Sequence, residues 1–270
     1  MSRLHTKILL GCSLLLASQA CTDLTEKTFD VIPTNGGFGS TPNQQAALIG
    51  PLYSGMTGYF GNMSGLNTAT DEQIVPTRGG DWKDGDNWLR LYTHAWDPIL
   101  DNGTFNNAWG FCYNNITSVN QQIGTNTDPV VLAELRALRA FYHYCAMDWF
   151  GNVIIADKLT SDKPTQSTRP QVFAYIEKEL LEIYPQLSDK VGGEFYGRMN
   201  KPVADMILAK MYLNAEVYTG TPRWNDALTR LNNIVNSGKF SLAGNFFSNF
   251  TTQNQGSPEI ILATPFDRTK

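Results

Sequence analysis

The chain has 270 residues, of which 42% are apolar and only 17% charged, so it is a folded globular protein and neither a disordered tail nor a highly charged coiled coil. Its 21 basic and 25 acidic residues leave a net charge of −4, which provides no positive surface for a nucleic-acid partner. Aromatic content is the unusual term, with 14 Phe, 11 Tyr and 6 Trp.

Met1 to Cys21 reads as three zones: a basic start with Arg3 and Lys7, an apolar run from Ile8 to Ala17, and Ser18-Gln19-Ala20 before Cys21. The apolar run is too short to span a bilayer, so residues 1–20 read as an export signal peptide. Cys21 stands where a bacterial lipoprotein signal places its lipidated cysteine. Its acyl chains would anchor a body of about 250 residues to a membrane, each buried methylene contributing roughly 0.8 kcal/mol. Residues 21–42 are polar and Gly-rich and read as a tether. Cys112 and Cys145 both fall on apolar helix faces, which favours packed free thiols over a disulfide.

Helical spacing begins at Asn43 and runs to Phe60 through Ala47, Leu48, Leu52 and Met56, interrupted by Pro51. From about Gly61 to Phe105 periodicity is lost and Gly, Asp, Asn and Trp dominate, a long decorated loop region. Phe105 to Ile123 is the next helix. Asp128-Pro129 opens another in which Val131, Leu135, Leu138, Tyr142, Cys145 and Trp149 recur at spacings of 4, 3, 4, 3 and 4. That stripe leaves Glu134, Arg136 and Arg139 near its flanks, and Gly151 ends the helix.

Thr168 and Pro170 cap a helix with Val172, Ile176, Leu180, Ile183 and Leu187 on its buried face, stopped by Gly192-Gly193. Asn200 and Pro202 open one carrying Ala204, Leu208, Met211, Ala215 and Tyr218 as far as Gly220. Thr221-Pro222 begin a last one, with Trp224, Leu228, Leu231 and Val235 as its inward stripe. Four helices in succession describe stacked helix pairs, and the small Ala204 and Ala215 permit the close approach of tetratricopeptide-type repeats. The expected fold is mostly α, a tetratricopeptide-like helical repeat over residues 43–270 with long irregular loops. Glu259 to Ala263 reads as a short buried strand. An apolar strand this close to Lys270 needs a partner, so the sequence reads as cut short or completed by another surface.

The sequence calls for no cofactor and no metal. It has no phosphate-cradling loop, no G-x-S-x-G elbow and no H-E-x-x-H. Asp81, Asp84 and Asp86 around Gly85 miss the calcium-loop spacing and read as a solvated acidic turn. Carboxylate pairs for sugar cleavage could be drawn from Asp71, Glu72, Asp81 and Asp97, as from any chain with 25 acids.

The stretch from Asp81 to Trp109 is more informative, because Trp82, Trp88, Tyr92, Trp96, Phe105 and Trp109 are interleaved there with Asp, Asn and Gly. Sugar rings have apolar C–H faces and hydroxyl rims, so a site for them needs flat aromatic platforms edged by short polar groups. Trp82, Trp88 and Trp96 with Asp81, Asp84 and Asn87 are the candidate ligand-binding residues; Trp109, in helical register with Phe105 and Cys112, reads rather as core. The structural alternative is that these rings pin a long loop onto the helices.

The segment from Glu134 to Gly151 resembles the E-x-R-x-L-R-A-x-Y-Y helix and following F-G turn of the SusD/RagB family, outer-membrane nutrient-binding lipoproteins of Bacteroidetes, although Ile155-Ala156 stands where that turn usually has a proline. Gly197-Arg198 to Leu213, Trp224 with Ala227 and the Ser237 to Phe240 run, Glu259-Ile260, and Asp71-Glu72 with Arg78 to Trp82 resemble further family motifs in the same order. The resemblance implies a non-enzymatic glycan or peptide binder at the cell surface, lipid-anchored, that sits as a lid on a SusC-like TonB-dependent transporter and is built on tetratricopeptide-like helix pairs. It also implies that this chain corresponds to the first half of a typical member. A lipid-anchored glycoside hydrolase and a non-binding helical scaffold are the alternatives from other classes.

Overall fold

The computed structural model describes residues 42–266, so the leader, Cys21 and most of the tether lie outside the described residues. Helix α1 spans Pro42–Ser54 and passes through a 3-10 turn, Gly55–Thr57, into α2, Gly58–Asn67. A short α3, Asn87–Tyr92, interrupts the loop region, and the long helices α4, Asn102–Thr125, and α5, Pro129–Phe150, follow. Two-residue strands β1, Val153–Ile154, and β2, Gln166–Ser167, pair antiparallel, Val153 opposite Ser167. Then come α6, Arg169–Ile183, α7, Lys201–Leu213, α8, Ala215–Thr219, and α9, Trp224–Asn236. Helix α5 packs on α4 and on α6, and α7 packs on α9, a mostly helical repeat of the expected kind.

Local chemistry sets the helix starts. The Asp128 carboxylate accepts hydrogen bonds from Val130 N and Val131 N at the start of α5, with Pro129 in the first turn. Thr168 and Gln171 form a capping box on α6, and the Asn200 side chain accepts from Val203 N on α7. Every residue of the predicted stripe on α5 except the half-buried Trp149 is buried, as is the whole predicted stripe of α6. Cys112 and Cys145 are buried free thiols.

Five features differ from the sequence expectation. Helix α2 extends the N-terminal helical region to Asn67, where Gly58, Gly61 and Gly65 had erased the period; Tyr59 anchors it against Phe111, Phe141 and Trp149. Glu134 and Arg139 are not at the flanks of α5 but buried, because each is paired with an opposite charge, Glu134 with Arg198 and Arg139 with Glu179. The helix opened by Asn200 breaks at Asn214 and restarts as α8, although Ala215 and Tyr218 stay buried. The stripe Trp224, Leu228, Leu231 and Val235 faces solvent, with Trp224 60% and Val235 69% exposed. Its opposite side is drawn inward by the buried Asp205, which accepts from Arg230 Nη1 and Asn233 Nδ2 at 3.2 Å each and from Tyr184 Oη at 2.6 Å. Finally, Glu259 to Ala263 forms no strand, since no described strand lies beside it to pair with. Instead Ile261 and Leu262 help line an apolar cavity of about 300 Å³ with Tyr59, Phe141 and Tyr144. The segment passes so close to Gly197, φ 74°, that a Cβ there would meet the Ala263 carbonyl oxygen at 2.9 Å, so only glycine fits.

Helix α5 also carries a fully buried histidine. Ala156 N donates to His143 Nε2 at 3.1 Å, which leaves Nδ1 as the donor to the Arg139 carbonyl at 3.0 Å and fixes the neutral tautomer. Burial pulls its pKa down to about 4. Between about 6.5 and 4 the unfolded chain therefore takes up a proton that the folded chain refuses, and stability falls as pH falls across that window, by up to roughly 3 kcal/mol. We expect urea unfolding of the wild type and of His143→Gln to converge in stability as pH drops from about 6.5 to 4; a difference independent of pH would show that His143 titrates normally.

Candidate functional site

The loop region between α2 and α4 is held by a small number of polar bonds. The Arg90 guanidinium clasps the Asp101 carboxylate, with Nη2 to Oδ1 at 2.5 Å and Nε to Oδ2 at 3.0 Å, while its Nη1 reaches the Gly85 carbonyl at 2.6 Å. Asp101 also accepts from Asp97 N at 2.7 Å, and Asp97 in turn accepts from Ile99 N and Leu100 N. The hydrogen bonds from Arg90 hold the Asp101 carboxyl below the usual carboxylate range. Further along, His94 Nε2 bonds the Ala69 carbonyl at 2.8 Å and ties the far side of the loop back to the end of α2.

At its tip the chain turns in a two-residue hairpin, with Arg78 N to Asp81 O and Asp81 N to Arg78 O both 3.0 Å. Gly79 takes φ 63° there, as the first central residue of a primed turn requires. The positive-φ non-glycine residues, Trp82, Asp84, Asp86 and His94, all fall between 82 and 94 among the described residues. Left-handed backbone costs roughly 1–2 kcal/mol per residue for side chains of this kind, and such strain gathers where a loop presents groups outward.

The candidate residues divide into two groups. Trp82 is 55% exposed and lines an open cavity of about 360 Å³ between the end of α2 and the hairpin. Ser64, Gln73 and Arg78 supply its polar edge, and Ile74, Val75 and Pro76 its apolar wall. Asp81 stands exposed beside it in the hairpin. Trp88, Asp84, Asn87 and Trp96 do not line this cavity. Trp88 is half-buried, its Nε1 donating to Asp84 Oδ2 at 2.5 Å, so this ring and one carboxylate oxygen are spent on each other. Asn87 opens α3 and is half-buried. Trp96 is 51% exposed, edge-on to Phe105 at 5.5 Å and beside His94 at 5.8 Å. Among the three candidate tryptophans, Trp82 and Trp96 are thus exposed and Trp88 is not. Ser64 and Gln73 were not singled out by the sequence, and Arg78 was named only as the start of the motif that runs to Trp82.

Residues 44–213 match the SusD-like family of proteins, described as starch-binding and associating with the outer membrane. The chain belongs to this family. Over 142 residues it is 30% identical to the starch-binding protein SusD of Bacteroides thetaiotaomicron, a match that covers 51% of this chain and 25% of that protein. Among solved structures, a laminarin-binding SusD-like protein superposes with a TM-score of 0.69 at 22% identity, over 82% of this chain and 50% of that one. A surface glycan-binding protein A from Bacteroides thetaiotaomicron, solved with laminarihexaose, gives 0.65 at 20% identity, over 83% and 49%. These structures share the fold, and the chain spans about half their length.

The Arg90 clasp implies a direct test. In Arg90→Ala, amides between Asp84 and Asp101 should exchange hydrogen faster than in the wild type while those of α5 keep their protection, as read by mass spectrometry. Unchanged exchange in the loop would show that the clasp does not hold it.

Proposed function

We propose that this chain is part of a non-catalytic glycan-binding protein of the bacterial cell surface, lipid-anchored through Cys21 to the outer membrane and serving a SusC-like TonB-dependent transporter in nutrient uptake. The observation that carries the glycan reading is Trp82: a large ring more than half exposed, on a braced loop, over an open cavity with an Arg, Gln and Ser edge. An indole face offers stacking to a pyranose C–H face, and the polar edge offers hydrogen bonds to hydroxyls. Asp81 and Arg78, held together by the hairpin, extend that edge. Trp96 with Asn87, Asp84 and Trp88 would form a second contact zone farther along the same loop. Binding of this kind needs neither a nucleophile nor a shifted pKa, and it is weak by nature, since a platform and a few water-competed hydrogen bonds leave little surplus over the cost of ordering the sugar.

The family's association with the outer membrane and the names of the relatives, which speak of starch, laminarin and laminarihexaose, support the location and the class of ligand. Among the described residues no helix is long and apolar enough to cross a membrane; the lipid anchor is read from the leader sequence before Cys21. The partner transporter rests on the family resemblance alone.

Calorimetric titration with maltoheptaose and laminarihexaose tests the reading. Trp82→Ala should weaken binding of the better ligand roughly tenfold, about 1.4 kcal/mol, and prolonged incubation should release no shorter sugars. Equal affinity in the variant would move the site elsewhere, and sugar products would favour a hydrolase.

A further inference from the structure

A second aromatic trough lies away from the Trp82 loop, on the outer side of α4. Trp109 and Tyr113, one turn apart, stack with ring centroids 4.4 Å apart at 29°, and Phe150 closes the back edge-on at 5.3 Å. Facing them, the segment between β1 and β2 forms the opposite wall of an open cavity of about 550 Å³, within the roughly 300–1,000 Å³ usual for small-ligand sites. Its rim carries Thr117, Lys158, Thr160, Asp162 and Lys163. Lys158 and Lys163 form no ion pair, and the Trp109 indole N–H has no hydrogen-bond partner, among the described residues.

What distinguishes this trough from an ordinary surface hollow is that side chains, with Asn120, Arg139 and His143 buried among them, fix its wall. Tyr113 Oη accepts from Ile154 N at 2.9 Å and donates to the Ile154 carbonyl at 2.8 Å. Ala156 is held from both sides, its N–H by His143 and its carbonyl by Asn120 Nδ2 at 3.0 Å. The next carbonyl, Asp157, accepts from the buried Arg139 guanidinium. The far end is closed by the β1–β2 pairing and by Gln166 Nε2 on the Asn152 carbonyl at 3.0 Å. A wall fixed at successive backbone groups costs little further ordering when a ligand enters.

We propose that this trough is a second saccharide site, in which a neutral hexose unit of an oligosaccharide stacks its C–H face on the Trp109–Tyr113 pair and places hydroxyls on the Trp109 N–H and the two lysine ammoniums. The lining holds two lysines, Lys158 and Lys163, and two aspartates, Asp157 and Asp162, so the site carries no net charge to select an anionic sugar. Its ligand class rests on the glycan reading given above; its location rests on separate residues and separate secondary structure.

The experiment labels the full chain with 5-fluorotryptophan, whose six tryptophans give six ¹⁹F resonances assigned by single Trp→Phe substitutions. Titration with maltoheptaose and laminarihexaose should shift the Trp109 resonance saturably, and should do so equally in Trp82→Ala. In Lys158→Ala/Lys163→Ala the Trp109 response should require roughly fivefold more sugar while the Trp82 response is unchanged. A static Trp109 resonance beside a moving Trp82 resonance overturns this second site and leaves the first reading standing. A Trp109 response that vanishes in Trp82→Ala overturns the independence of the two sites, and no response at either ring overturns both readings.

Discussion

The fold depends on the charges buried along α5. A carboxylate or guanidinium taken out of water loses several kcal/mol of hydration, which only well-made pairs offset, so each charge inside this helix dictates where a distant segment must lie. Glu134 receives Arg198 through Nε at 2.7 Å and Nη2 at 2.5 Å, and Tyr53 Oη at 2.6 Å. Tyr53 Oη in turn accepts from Met199 N at 2.9 Å. One carboxylate thereby joins α1, α5 and the approach to α7. Within little more than one turn, Arg136 and Arg139 converge on Glu179 of α6, at 2.6 Å from Arg139 Nη2 and 2.6 Å from Arg136 Nη2. Burial alone would raise the Glu179 carboxyl; the hydrogen bonds from the two arginines outweigh it and hold the group below its ordinary range.

These bonds give the E-x-R-x-L-R-A pattern a physical meaning. Its charged members line neither of the proposed ligand surfaces; they set the spacing and order of the segments that carry them. Arg139 reaches through Asn120 Oδ1, at 2.8 Å, and the Asp157 carbonyl to fix the wall beside Trp109. At the other edge, the loop holding Trp82 rests on α2, whose Tyr59 is packed against Phe141 and Trp149 of the same helix. A rigid helical frame with aromatic rings displayed on irregular segments suits binding to stiff, hydroxyl-rich chains, because the order needed for recognition is already present before the ligand arrives.

Much of this was legible in the sequence wherever periodicity and capping agreed. The stripe from Val131 to Trp149 and the Asp128-Pro129 cap located α5, and Thr168 with Pro170 located the start of α6. Periodicity failed where a helix is rich in glycine, as at Gly58 to Asn67, and where polar bonds override apolar pattern. In α9 the apolar stripe from Trp224 to Val235 points outward because Arg230 and Asn233 must satisfy buried Asp205. The loop residues were legible by composition as a place but not as an arrangement. Trp88 and Asp84 bond each other, a pairing that four-residue spacing allows but does not require, and the polar edge of the Trp82 cavity comes from residues 64, 73 and 78, brought together only by the fold. Trp109 read as core from its helical register with Cys112, whereas its ring is half-buried and lines a trough.

The residues that build the frame are distinct from those proposed to meet the sugar, and Glu134→Gln tests that separation most directly when chemical unfolding and oligosaccharide titration are measured on the same preparation. Removing one charge leaves Arg198 without its partner, so the unfolding free energy should fall by about 3 kcal/mol while affinity, measured well below the unfolding transition, stays at the wild-type value. A loss of affinity with unchanged stability would contradict the account and place Glu134 and its motif in the binding surface itself.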